Sequence, residues 1–320
     1  MMGDMEHVYR VAVVQAGSVL MDRAACTEKA VTLIGEAAGA GAEMVLFPEA
    51  FISGYPRGLS FGTRVGERTE EGRADWLRYW QSSVEVGDRT TELLAETASR
   101  YGIHLAMGVI ERDADFSGGT LFCTVLYYGP DGRFLGKHRK LKPTAAERLV
   151  WGEGDGSTLP VIDTPGGKIG SLICWENYMP LARAAMYAKG VDVYLAPTAD
   201  ERERWQATLR HIALEGRCFV LGCNQYVTAD MYPDDLACQE DLPTTDTVCS
   251  GGSSIVDPMG DYVVEPVYGK EDILIADLDM SRIPASRLEF DVTGHYSRPD
   301  VFKLLVNEER QVPMKILPPQ

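Results

Sequence analysis

The sequence predicts a four-layer α/β protein, an α-β-β-α sandwich in which two mixed sheets pack face to face with helices on both outer faces. Three observations lead there. Short β-branched runs alternate with longer helical patterns along the chain. A hairpin pattern closes each half, so antiparallel strands must join the parallel ones. No Pro/Gly/Ser-rich linker interrupts the 320 residues. The chain therefore reads as a single domain over 1–320, with its core at about 8–280 and a tail at 283–320.

Each element has its own signal. Tyr9 to Gln15 is a short β-branched run and reads as a buried strand. Asp22 to Ala40 carries Ala, Leu and Ile at helical spacing and stops at Gly-Ala-Gly. Glu43 to Phe47 is the next strand, ended by Pro48-Glu49. Ser53 to Gly66 is glycine-rich and aromatic, a loop placed where a pocket wall is expected. Asp88 to Tyr101 reads as a helix with Asp88 as N-cap and Gly102 as stop, and His104 to Ile110 as a strand. Leu121 to Tyr128, the turn Gly129-Pro130-Asp131-Gly132 and Arg133 to Lys140 form the first hairpin.

The second half repeats this order. An apolar strand runs from Lys168 to Cys174, Pro180 opens a helix to Lys189, and Asp192 to Ala196 is a strand. Arg204 to Arg217 is a helix, Cys218 to Gln225 a strand, and Ser253 to Val264 a hairpin turning at Pro258-Met259-Gly260-Asp261. Thr228 to Gly252 is acidic and aperiodic and reads as an inserted surface loop; Ile273 to Leu278 is the last strand. The proline-bearing tail is expected to pack along a surface or a neighbouring subunit.

Composition narrows the function. A net charge of −16 argues against nucleic acid or an anionic membrane as partner. No run approaches the ~18 apolar residues of a membrane span, and Met1 to Arg10 has no apolar leader core. The seven cysteines are odd in number, scattered and without a C-x-x-C pair, which fits reduced thiols in a cytoplasmic protein. The spacing of His and Cys suggests no metal, and the absence of glycine-rich phosphate motifs suggests no nucleotide, so no cofactor is expected. His211, inside a helical pattern, is expected to have a structural hydrogen-bonding role.

Three apolar runs end in reactive groups: Glu49, Lys140 and Cys174. Taken singly, each has a plain structural reading: a solvated strand end, one charge in a basic run, a buried thiol. Together they supply a base, a cation and a nucleophile. Cys174 stands where a strand hands over to a helical pattern, a place expected to favour the thiolate. Glu147, in Thr144-Ala145-Ala146-Glu147, could hold the lysine or a substrate.

This combination resembles the nitrilase branch of the carbon-nitrogen hydrolase superfamily. The resemblance rests on Phe47-Pro48-Glu49, Arg139-Lys140-Leu141-Lys142-Pro143-Thr144 and Cys174-Trp175-Glu176-Asn177, with further matches in the same order. These include Ser53-Gly54-Tyr55-Pro56-Arg57-Gly58, Trp151-Gly152-Glu153-Gly154, Ala196-Pro197-Thr198-Ala199-Asp200 and Gly294-His295-Tyr296-Ser297-Arg298-Pro299. The resemblance implies a catalytic set of Glu49, Lys140 and Cys174 with Glu147 as second glutamate. It also implies Tyr55, Trp151, Trp175 and Thr198 at the substrate. Cys-Trp-Glu looks like the nitrilases, where amidases commonly show Cys-Tyr-Asp, and Pro197 to Asp200 looks like the plant and cyanobacterial nitrilases. The implied activity is hydrolysis of a small organic nitrile to acid and ammonia by a homodimer or larger, spiral homo-oligomer. The alternatives are an amidase or carbamoylase on the same residues, an amide-releasing nitrile or cyanide hydratase, and a catalytically silent scaffold.

Overall fold

A computed structural model describes residues 8–238, 242 and 244–314. Expectations for the leader, and parts of those for the acidic loop and tail, fall on the other positions and lie outside the described residues.

The first half runs β1 (Val8–Gln15), α1 (Arg23–Gly39), β2 (Met44–Leu46), a small ribbon of β3 (Thr63–Arg64) and β4 (Glu67–Arg68), then α2 (Glu70–Ser82), α3 (Arg89–Tyr101), β5 (His104–Arg112), β6 (Leu121–Tyr128) and β7 (Phe134–Arg139). The second half runs β8 (Ile162–Thr164), β9 (Gly167–Ser171), α4 (Pro180–Ala188), β10 (Val193–Pro197), α5 (Glu203–Gly216), β11 (Phe219–Cys223), β12 (Tyr226–Thr228), β13 (Thr247–Val256), β14 (Tyr262–Tyr268), β15 (Asp272–Asp279) and α6 (Arg282–Ser286).

The repeat of architecture is visible in the strand order. In one sheet β1, β2 and β5 are parallel; on one flank β6 is antiparallel to β5 and β7 antiparallel to β6, and on the other β15 is antiparallel to β1. In the second, β9, β10 and β11 are parallel, with β13 and β14 on one flank and β8 on the other; β12 also pairs with β13.

Alternation decides the layers. Tyr9, Val11, Val13, Met44, Leu46, Val125 and Tyr127 from the first sheet meet Ile169, Val193, Leu195, Phe219, Leu221 and Ile255 from the second in one core. Residues of the opposite parity, Ala12, Val14, Val45 and Leu105, face Ile34, Leu94 and Ala98 of α1 and α3. Tyr194, Ala196 and Val220 face Met186, Leu209 and Ile212 of α4 and α5. The architecture is thus the α-β-β-α sandwich.

Local chemistry sets the boundaries. Asp22 Oδ1 accepts the Ala25 N–H at 2.9 Å and Asp88 Oδ1 that of Thr91 at 2.9 Å, while Gly102 closes α3 at φ +64°. The reading of the sequence leaves α2 unassigned; its signal is Thr69, whose Oγ1 caps Gly72 N at 3.0 Å ahead of Trp76, Tyr79 and Trp80. The inserted loop is shorter than expected, because Thr247 to Gly252 already belong to β13, paired with β12 and β14. The helix expected from Pro180 does begin there, while Cys174–Tyr178, between strand and helix, form a separate 3-10 turn. No helix among the described residues is long and apolar enough to cross a membrane.

Candidate active site

The topology brings chosen strand ends together. β7 runs parallel to β5 across β6, so the ends of β2 and β7, and the residues Glu49 and Lys140 that follow them, lie at one edge of the first sheet. Cys174 and Thr198 follow β9 and β10 at the corresponding edge of the second. Ligand sites of open α/β sheets form at such edges.

Glu49 and Lys140 are fully buried and Cys174 is 4% exposed. The plain readings of a solvated carboxylate and a solvated lysine are therefore excluded. Lys140 Nζ donates to Glu49 Oε1 at 2.6 Å and to Glu147 Oε2 at 2.7 Å. Glu147 is fixed in turn by the Tyr55 hydroxyl at 2.6 Å and the Thr144 N–H at 2.6 Å. Cys123 Sγ lies 3.5 Å from Glu49 Oε1, while Glu49 Oε2 is buried with no hydrogen-bond partner among the described residues. The Thr198 hydroxyl donates to Cys174 Sγ at 3.1 Å.

The backbone here is unusual. Cys174, Ala50, Ser53 and Ala145 all have φ between +46° and +86° without being glycine. Such conformations cost roughly 1–3 kcal/mol each and persist where the surroundings fix them. Asn177 supplies part of that fixing at Cys174: its Nδ2 donates to the carbonyls of Leu172 and Cys174 at 2.9 and 2.8 Å. Gln225 Nε2 holds the Glu49 carbonyl at 2.8 Å.

Electrostatics follow from burial. The Cys174 thiol is pushed well up by burial and by Glu49 and Glu147, against the opposing pull of Lys140 and the Thr198 hydroxyl. The expectation that a helix start favours the thiolate is corrected: the turn is short and desolvation outweighs it. Burial opposes the Lys140 ammonium, yet Glu49, Cys174, Cys123 and Glu147 hold it well above its ordinary value. Burial also raises the Glu49 carboxyl, with Lys140 opposing and Glu147 assisting. A raised carboxyl beside a neutral thiol suits proton transfer at the moment of attack rather than a standing thiolate.

A cavity of about 400 Å³ opens beside this cluster, lined by Tyr55, Arg57, Leu59, Glu147, Val150 and Trp151 among others. The Tyr55 and Trp151 rings meet edge to face at 5.6 Å, and Lys140 Nζ lies 5.6 Å from the Trp151 ring centre. Trp175 is not brought to this cavity. Its indole N–H donates to Asp200 at 2.9 Å, Arg202 lies over its ring at 5.0 Å, and it is 39% exposed. His211 is exposed, its Nε2 3.7 Å from Glu215 Oε1. Among the described residues no group of His, Cys, Asp and Glu is arranged to hold a metal ion. The sequence reading misses Cys123 and Gln225, an ordinary strand thiol and amide whose place beside Glu49 only the fold reveals. Cys26, Cys123, Cys174, Cys218, Cys223 and Cys249 are free thiols.

A buried thiol set among two carboxylates and a lysine defines a cysteine-dependent hydrolase type of site. The carbon-nitrogen hydrolase family description matches residues 10–287, and the chain belongs to that family. It is 54% identical over 301 residues to an aliphatic nitrilase of Sinorhizobium fredii (strain HH103), covering 94% of this chain and 96% of that one. It is 51% identical over 310 residues to a bifunctional nitrilase/nitrile hydratase of Lupinus angustifolius, covering 95% and 88%. These relatives place it in the nitrilase branch. Among solved structures, the NitFhit protein of C. elegans superposes with a TM-score of 0.74 at 22% identity, over 97% of this chain and 69% of that chain. A carbon-nitrogen hydrolase of Helicobacter pylori G27 superposes with a TM-score of 0.72 at 19% identity, over 92% and 97%. Both share the fold.

Proposed function

We propose that the protein is a nitrilase, converting a small organic nitrile and two waters to a carboxylic acid and ammonia. The observation that carries this is the enclosure of Cys174 with Glu49, Lys140 and Glu147 beside a cavity, in a chain about half identical to proteins named nitrilases.

The sulfur of Cys174 bonds to the nitrile carbon while Glu49 takes the thiol proton and passes it to nitrogen, giving a thioimidate. The unpartnered Glu49 Oε2 supports that role. Lys140 and the Trp175 backbone N–H stabilise charge developing on nitrogen. Glu49 then draws a proton from water as its oxygen adds to carbon. Protonation and loss of ammonia break the C–N bond and leave a thioester, which a second water cleaves to the acid and free thiol. If the C–S bond breaks first, the product is an amide. The bifunctional relatives favour this as a second outcome of the same site. Glu147 holds Lys140 and Tyr55; Thr198 orients the thiol; Tyr55 and Trp151 line the substrate space.

The whole chain acts as one domain in a cytoplasmic homo-oligomer. Support comes from the free thiols of Cys26, Cys123, Cys174, Cys218, Cys223 and Cys249, and from Phe302 and Leu305, which stand exposed on the tail. The test is product analysis on a panel of nitriles and matching amides, with Cys174→Ala as control. Acid and ammonia from nitriles, lost in the variant, is the expected result. Turnover of amides alone would move the protein to an amidase reading.

A further inference from the structure

The Cys-Trp-Glu motif and strand β7, which leads into Lys140, each contain a residue the mechanism leaves unused, Glu176 and His138, and the fold joins the two. Glu176 and His138 are fully buried, with His138 Nε2 2.9 Å from Glu176 Oε2. His138 Nδ1 lies 2.6 Å from the Thr158 carbonyl, which only accepts, so that nitrogen carries a hydrogen. The Glu176 carboxylate also accepts the Ile173 N–H on Oε2 at 2.6 Å and the Leu141 N–H on Oε1 at 2.5 Å. Ile173 immediately precedes Cys174, and Leu141 immediately follows Lys140.

We propose that the Glu176–His138 pair is a buried clamp that sets the position of Cys174 relative to Lys140, so that both are positioning residues for the reaction. One carboxylate bridges the chain entering the nucleophile, in the second sheet, and the chain leaving the lysine, in the first. The imidazole fixes that carboxylate and is itself fixed by Thr158, whose hydroxyl also takes the Arg139 N–H at 3.2 Å. Both His138 nitrogens and both Glu176 oxygens are already hydrogen-bonded within the protein, so the pair acts through geometry rather than by touching substrate. Removing a partner from a buried charged pair leaves the other uncompensated, and here the disturbance falls on the two backbone segments that aim the reacting groups.

The inference rests on the reading of Cys174 and Lys140 as reacting groups. Its test compares E176Q, H138Q, the double variant and C174A for kcat, KM and thermal unfolding on a nitrile that the wild type turns over. The amide introduced by E176Q cannot accept every hydrogen bond that the Glu176 carboxylate accepts; H138Q removes the imidazole but leaves both backbone bonds to Glu176. Each single variant is expected to lower kcat about tenfold to a hundredfold with KM changed less than about threefold. The double variant should be no worse than the poorer single one, as expected for two residues acting as a unit. A kcat within about twofold of wild type in either folded variant, a loss confined to KM, or independent losses that multiply in the double variant would overturn the clamp. If E176Q does not fold, H138Q decides. If neither folds, the pair holds the sheets rather than the site, and the proposal fails. Residual turnover in C174A would instead defeat the reading of the site itself.

Discussion

At the scale of single residues, the site depends on which oxygen or hydrogen faces which partner. Thr198 donates its hydroxyl to Cys174 Sγ. Val at this position keeps the branched shape but removes both this donor and the acceptor of the Asp200 N–H at 3.0 Å. T198V should therefore lose activity by about fivefold for the bond to sulfur and melt at a lower temperature for the orphaned amide. Steady-state kinetics beside a thermal melt separates the two effects. Glu49, Lys140 and Cys174 are legible in the sequence because each ends an apolar run and their motifs occur in order. Cys123 and Gln225 are not, because nothing local distinguishes a thiol or amide that meets Glu49 only after the sheet assembles. The motif puts Trp175 at the substrate beside its neighbour, but consecutive residues in a tight turn point in different directions, and its ring sits against Asp200 and Arg202.

Elements place these residues through close backbone approach. Gly108, in β5, faces the bend that carries the base: a Cβ there would stand 1.8 Å from the Pro48 carbonyl oxygen. Backbone cannot yield as a flexible side chain does. G108A should therefore destabilise by about 2–3 kcal/mol and reduce turnover, both in excess of the control G119A. At Gly119 the only neighbour among the described residues within 4 Å of a new Cβ is the Ser117 oxygen, at 3.8 Å. Denaturant melts and initial rates on both variants provide the check.

A second element-level device is Glu111 at the end of β5, nearly buried and bonded to Lys137 and Arg139 of β7. Burial works to raise its carboxyl, but Arg139 and Lys137 outweigh that and hold it below the ordinary 4.5. The folded state thus binds this proton less tightly than the unfolded state. The contribution is fully present above about pH 4.5 and is lost as pH falls through the lower, folded value. Wild-type melting temperature should fall with acidification in that window, and E111Q should be less stable at neutral pH with a flatter decline. The strands themselves are legible from alternation and turn chemistry. Helix α2 escapes because its Thr69 cap is hidden behind an irregular loop, and the ionic ties between β5 and β7 because ladder pairing sets them.

At the scale of the whole molecule, two copies of one strand plan stand back to back, and the acid and ammonium come from one while the thiol comes from the other. The two-sheet architecture is legible because each half repeats the order of runs and ends in a hairpin. The return of β15 to the first sheet is not, since its sequence reads as one more amphipathic strand. The tail is tied down at Lys189–Glu308 and by the Gln311 N–H on Asp155 at 2.7 Å, yet leaves Phe302 and Leu305 exposed. If those side chains contribute to a subunit contact, F302D/L305D should lower the mass measured by light scattering without shifting the far-UV spectrum; an unchanged mass would remove the tail from the contact.

The pairing of β1 with β15 joins the first described residues to the last strand, Val8 opposite Asp279 through Gln15 opposite Asp272. During synthesis, then, the founding strand of the first sheet leaves the ribosome early and waits with one edge bare until its closing neighbour arrives. Every nascent or prematurely terminated chain lacking residues 272–279 exposes that edge, a template for association with other chains. The last strand made is thus the one that renders the first strand safe.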